Sequence, residues 1–204
     1  MLTRLITLAA LGAMACAPAD RGDPAAEEQS TVPAETLEKP IVAVETNLGT
    51  IVMELWPDKA PETVDNFLLH VRSGFYDGLI FHRVKPDFMI QTGERTPDGS
   101  TRTSPTFPVA NEADNGLKNV RGAVAMARTG DAHSAKSQFF VNLVDNPDLD
   151  FKDKTSVGWG YAVFGEVIEG MDVVDQIGAI SIICRWGKMD VPVEAIIVDR
   201  AYIK

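Results

Sequence analysis

Phe81-His82-Arg83-Val84-Lys85-Pro86-Asp87-Phe88-Met89-Ile90-Gln91-Thr92-Gly93 is the stretch on which the reading of this chain turns. It takes in most of one short apolar piece, Leu79 to Val84, and all of another, Phe88 to Gln91, with Pro86 and Asp87 between them. Similar pieces follow at Ala123 to Ala127, Phe139 to Leu143 and Ala162 to Val167, with Gly, Pro, Asn and Asp between them. Segments of that length bounded by turn residues read as strands. Upstream, Ile41 to Asn47 and Thr50 to Leu55 alternate imperfectly around Asn47-Leu48-Gly49, which predicts a β-hairpin with a short Gly-containing turn. A last strand is expected near Ala195 to Ile203.

Helices are few. Pro61 suits a first helical position, and Glu62 suits the positive end of a helix dipole. Val64, Phe67, Leu68 and Val71 then form one apolar stripe, and Ser73-Gly74 is a natural stop. A second short helix is expected over Met171 to Ile177. Many short strands with two helices predict a mainly β protein, a closed or nearly closed barrel. Glu94 to Lys118 is long and weakly periodic, and loops of that length in a compact domain are often functional.

The amino terminus reads as address rather than fold. Arg4 precedes an uncharged run from Leu5 to Ala15, too short to span a bilayer as a helix but of signal-peptide length and order. Ala13-Met14-Ala15 fits the small-x-small cleavage pattern, and Cys16 follows. Leu11-Gly12-Ala13-Met14-Ala15-Cys16 resembles a bacterial lipobox, although Ala13 stands where Leu is usual. That resemblance implies lipidation of Cys16, and Ala17 after it implies the outer membrane of a Gram-negative cell. The other reading is a plain periplasmic protein with an incidental cysteine. Residues 16–39 are rich in Ala, Pro, Glu and Asp and bury too little apolar surface to offset ordering, so a flexible tether is expected. The organisation is then a signal peptide over 1–15, a tether over 16–39 and one domain over 40–204.

Composition narrows the function. The 204 residues are 45% apolar and 24% charged, as in soluble globular proteins. A net charge of −10 argues against nucleic-acid partners, because such a surface repels phosphate backbones. Cys16 and Cys184 could form one disulfide, but Cys16 ends the leader; the three histidines are unclustered, so neither a metal nor a cofactor is expected. His82, Ser137 and several Asp could suggest a hydrolase, yet no Gly-x-Ser-x-Gly elbow or Walker pattern is present.

The opening stretch, together with Ala125-Met126-Ala127-Arg128 and Ser137-Gln138-Phe139-Phe140-Val141-Asn142, resembles the two signature strands of the cyclophilins. Phe-His-Arg-Val, Phe-Met-Ile-Gln and Ser-Gln-Phe-Phe are intact, and the likeness runs from Ile41 to about Ile203. Asn111 to Leu117, Gly158-Trp159-Gly160-Tyr161 and Glu169 to Val174 are similar to the bacterial members in particular. The resemblance implies a closed antiparallel eight-stranded β-barrel capped by two α-helices. It also implies a monomer that acts on proline-containing polypeptides as a peptidyl-prolyl cis/trans isomerase.

It further implies a site. Arg83 matches the catalytic arginine, Gln91 the residue supporting it, and Phe88, Met89, Phe140 and Leu149 the proline pocket. Ala127 and Arg128 match positions offering backbone contacts to an extended peptide, His82 a supporting position, and Tyr161 one where eukaryotic members carry His. Taken singly, the aromatic residues read as core and Arg83 as an ion-pair partner; their joint appearance in the family's spacing reverses that. Asp148-Leu149-Asp150 replaces a Trp-Leu-Asp, which implies weak cyclosporin binding, and Thr92 interrupts a usual Gln-Gly-Gly. A proline-binding chaperone module with little turnover is the alternative.

Overall fold

Alternation of side chains along short strands, more than helix propensity, builds this domain. The computed structural model describes residues 38–204, so the expected signal peptide, Cys16 and most of the tether lie outside the described residues. The strands are β1 (Ile41–Thr46), β2 (Gly49–Leu55), β3 (Arg83–Lys85), β4 (Met89–Thr92), β5 (Ala123–Met126), β6 (Phe139–Asn142) and β7 (Val163–Glu169). They are followed by β8 (Ile182–Arg185), β9 (Lys188–Pro192) and β10 (Val198–Ile203). Helix α1 spans Pro61–Arg72 and α2 spans Met171–Gly178. The expected hairpin is β1–β2, paired from Ile41↔Glu54 to Thr46↔Gly49.

Eight strands form one antiparallel sheet in the order β10-β1-β2-β7-β5-β6-β4-β3. The closed barrel expected from the resemblance is found instead as a curled sheet whose end strands, β3 and β10, do not pair. The reason is local. β3 has only three residues before Pro86, and the chain ahead of it meets the chain ahead of β10 at a single bridge, Ile80↔Ile197. Two backbone hydrogen bonds flank that bridge, Phe81 N to Ile196 O at 2.9 Å and Val198 N to Leu79 O at 2.8 Å. The hairpin β8–β9, which the sequence reading left unassigned, packs against β3.

The core sits inside the curl and under α1. Val64, Phe67, Leu68 and Val71 are all buried, as the stripe requires. Phe67 lies 5.4 Å from Tyr76 and 5.2 Å from both Phe139 and Phe164, ring centroid to centroid. The buried Tyr76 hydroxyl donates to Ser137 O at 2.9 Å, tying this aromatic group to the start of β6. No side chain at Ala60 caps α1. Glu112, from the long loop, does so instead: its carboxylate accepts from Glu62 N at 3.2 Å and Thr63 N at 2.8 Å, where a helix has spare donors and a positive end.

The same loop is pinned a second time by His70, which is fully buried. Its Nδ1 lies 2.7 Å from Asn66 O and must donate, so Nε2 accepts from Ser104 Oγ at 2.9 Å. Phe67→Ala removes the ring at the centre of the core and should cost about 3–5 kcal/mol in urea unfolding; a loss below about 1 kcal/mol would mean the group can close over the gap.

Candidate active site

Strand register assembles the site. Arg83 pairs with Gln91, Gln91 with Phe140 and Phe140 with Ala125, so these residues form one row across four strands and face the same way. The next row, Val84, Ile90, Val141 and Val124, faces the opposite way and is buried in the main core. Met89, two residues from Gln91, returns to the first face.

On that outer face Met89, Ala123, Ala125, Phe140 and Val163 form a second apolar cluster, with Phe88, Ala127, Leu149 and Tyr161 packed half-buried against it. Phe88, Met89, Ala127, Phe140, Leu149 and Tyr161 of this group floor and wall a cavity of about 140 Å³ that is completed by Arg83, Gln91 and Arg128. Every residue expected at the site except His82 lines it. Phe140 meets Tyr161 edge-on at 5.6 Å. Met89 and Phe140 are only 2% and 4% exposed, so their placement beneath a cavity, not their burial, distinguishes them from core.

The polar end is a string of amides. Gln91 Nε2 donates to Gln138 Oε1 at 2.8 Å, which turns Gln91 Oε1 toward Arg83 Nη1 at 3.4 Å. Gln138 was not among the expected site residues. Its signal was present, because strand alternation puts it on the face of Phe140 two positions on.

The wall opposite is a loop held by backbone bonds. Tyr161 N donates to Leu149 O at 2.9 Å. Gly160 between them has φ +63°, and a Cβ there would come within 2.6 Å of Asp150 C, so only glycine fits. Arg128 was expected to act through its main chain, but its side chain is structural. Its Nε donates to Gly160 O at 2.7 Å, and its guanidinium lies 4.8 Å over the Tyr161 ring. Ala127 spends its amide on Gln138 O at 2.9 Å and so offers its carbonyl. Asp148 points away, its side chain 99% exposed. Thr92 is an ordinary strand residue, its hydroxyl donating to Ile80 O at 2.8 Å, so β4 stays regular to its last residue and the chain bends only at Gly93.

The sequence that builds this arrangement, an arginine over an apolar floor on the outer face of a curled sheet, is matched by a family profile. The profile described as "Cyclophilin type peptidyl-prolyl cis-trans isomerase/CLD" covers residues 41–203. The chain belongs to the cyclophilin family. It is 54% identical over 162 residues to peptidyl-prolyl cis-trans isomerase cyp18 of Streptomyces antibioticus, covering 79% of this chain and 97% of that one. It is 50% identical over 163 residues to peptidyl-prolyl cis-trans isomerase B of Escherichia coli K12, covering 80% and 99%. Among solved structures, a Cryptosporidium parvum cyclophilin type peptidyl-prolyl cis-trans isomerase superposes with a TM-score of 0.65 at 26% identity, over 81% of this chain and 98% of that one. A second structure of that protein, determined in the presence of the dipeptide Ala-Pro, gives 0.64 at 26% identity over 80% and 98%.

His82 of this cyclophilin stands behind the arginine, lining an adjoining cavity with Glu94, Gln138 and Asp190. Burial, helped by the charge of nearby Arg95, pushes its pKa down to about 4, so the ring is neutral near pH 7. Burial lowers His70 as well. The unfolded chain therefore binds more protons than the folded one below about pH 6.5. Stability should be full above that pH and fall as the pH drops toward 4, with His82 contributing up to about 3 kcal/mol. Urea titrations across this window should show a flatter decline for His82→Gln; an unchanged slope would assign the acid sensitivity elsewhere.

Proposed function

We propose that this cyclophilin accelerates rotation about X-Pro bonds by gripping the twisted amide, with Arg83 as the catalytic donor and the cavity of Phe88, Met89, Phe140, Leu149 and Tyr161 as the proline seat. The activity is the family's, peptidyl-prolyl cis-trans isomerisation. The observation that carries the residue roles is the row in which Arg83, Gln91 and Phe140 face one way over an apolar floor.

Peptide resonance sets a rotation barrier of about 18–20 kcal/mol, and X-Pro exchange unaided takes roughly 10–100 s. No bond need break. Twisting the C–N bond frees the prolyl nitrogen lone pair, and a donor aimed at that nitrogen favours the twisted form over both planar ones. A guanidinium suits this task because it is charged at every relevant pH and presents a rigid fork. Gln91, its amide nitrogen engaged by Gln138, holds the fork through its oxygen. The apolar cavity keeps the ring still while the amino-terminal side of the peptide turns. Ala127 and Arg128 border both this cavity and a larger one of about 330 Å³, which gives an extended chain a path away from the proline.

The substrates on this reading are unfolded or flexible stretches of exported proteins. What supports an envelope location is the leader over residues 1–15 and the lipobox-like Leu11 to Cys16, with the tether holding the domain off the membrane. Among the described residues no helix is long and apolar enough to cross a bilayer.

Replacing Arg83 by Ala should lower kcat/KM on a proline peptide about tenfold or more while peptide binding persists in part. Equal activity in the variant would point to nonspecific acceleration and remove Arg83 from the mechanism, whereas negligible turnover in the parent protein would favour the alternative, a proline-binding module. Mass spectrometry of protein recovered from a bacterial envelope should show an acylated Cys16 as the first residue, and Cys16→Ser should release the domain from membranes. An unmodified or differently placed terminus would overturn the anchor.

A further inference from the structure

We propose that Asp190 is a positioning residue for Arg83, and that β8–β9 serves to present its carboxylate. The inference rests on Arg83 being the catalytic donor. Arg83 reaches out of β3 between two acceptors. Gln91 Oε1 lies 3.4 Å from Nη1 on one side, and Asp190 Oδ2 lies 3.7 Å from Nε on the other. Nη1 and Nε thus each face an acceptor, and Nη2 is left for a peptide in the cavity that Arg83 borders.

Asp190 sits at φ +64° within β9, a left-handed conformation that costs a residue with a side chain but that Asp tolerates better than most. Such conformations persist where surrounding structure enforces them, and they gather at functional sites. Here the hairpin supplies the enforcement. Its turn, Trp186 and Gly187, is left-handed at both positions. The Trp186 ring lies so close over Gly99 that a Cβ there would come within 2.5 Å of Nε1. Val193 N donates to Ser181 O at 2.9 Å at the open end. The hairpin is thus clamped at both ends and cannot slide along β3.

With side chains 41% and 24% exposed, the pair contributes little to the stability of the free protein. A peptide seated over Arg83 changes that, because it excludes water and strengthens whatever charge contact remains. The benefit therefore falls on turnover, not on folding.

The test is a double-mutant cycle in the full chain, reading kcat and KM on a proline peptide and Tm. Asp190→Gly keeps the left-handed backbone without a carboxylate, and Asp190→Asn keeps the shape without the charge. Each should lower kcat about threefold with KM little changed and Tm shifted by less than about 2 °C. In an Arg83→Ala background the same changes should have no effect on kcat. Undiminished kcat in both Asp190 variants, or an equal loss with Arg83 absent, would overturn the proposal. If Arg83→Ala itself keeps full activity, the reading of Arg83 fails and Asp190 with it.

Discussion

The site depends on strand register. Arg83, Gln91, Phe140 and Ala125 are brought together by backbone pairing across four strands, none of which has more than four residues. A slip of one residue in any of these pairings would turn the arginine or the phenylalanine into the core and bring Val84 or Val141 to the surface. The main core resists such a slip, because the alternate row of Val84, Ile90, Val141 and Val124 is buried there. The hydrophobic effect on one face thus fixes the chemistry on the other.

This explains why so much of the site was legible. Residues on one strand face alternate in sequence, so Phe88-Met89-Ile90-Gln91 and Gln138-Phe139-Phe140 carry both faces within a few positions. A family signature in such a segment encodes core and site together. The two helices were equally readable, since an apolar stripe after Pro61 has few other interpretations. Closure of the barrel was not readable, because it depends on whether two distant ends meet as a ladder or only at Ile80 and Ile197. The β8–β9 hairpin was missed for a related reason. Seven of its nine strand residues are exposed or half-buried, with Met189 projecting, so burial imposes little alternation on them. The role of the Arg128 side chain was hidden too, because Gly160 and Tyr161 lie more than thirty residues on.

Polar groups around the cavity are ordered by a few contacts with an evident sense. Gln138 orients Gln91, and Gln91 orients Arg83. His82, kept neutral by burial, adds no charge behind the arginine. The mechanism proposed for this end calls for no group that titrates near neutrality, since no proton has to move. The buried histidines, whose charged forms burial disfavours, tie acid sensitivity to folding.

The two apolar clusters lie back to back on the same strands, one sealed inside the curl and the other open beneath the cavity. The sheet works as a partition wall between a compartment that must be full and one that must stay partly empty. Selection can then act on each room separately. Inner positions answer to density, while Phe88, Leu149 and Tyr161 border open space, where a change of shape leaves the inner packing untouched. A family built on such a wall can diversify its clientele without reopening the question of how it folds.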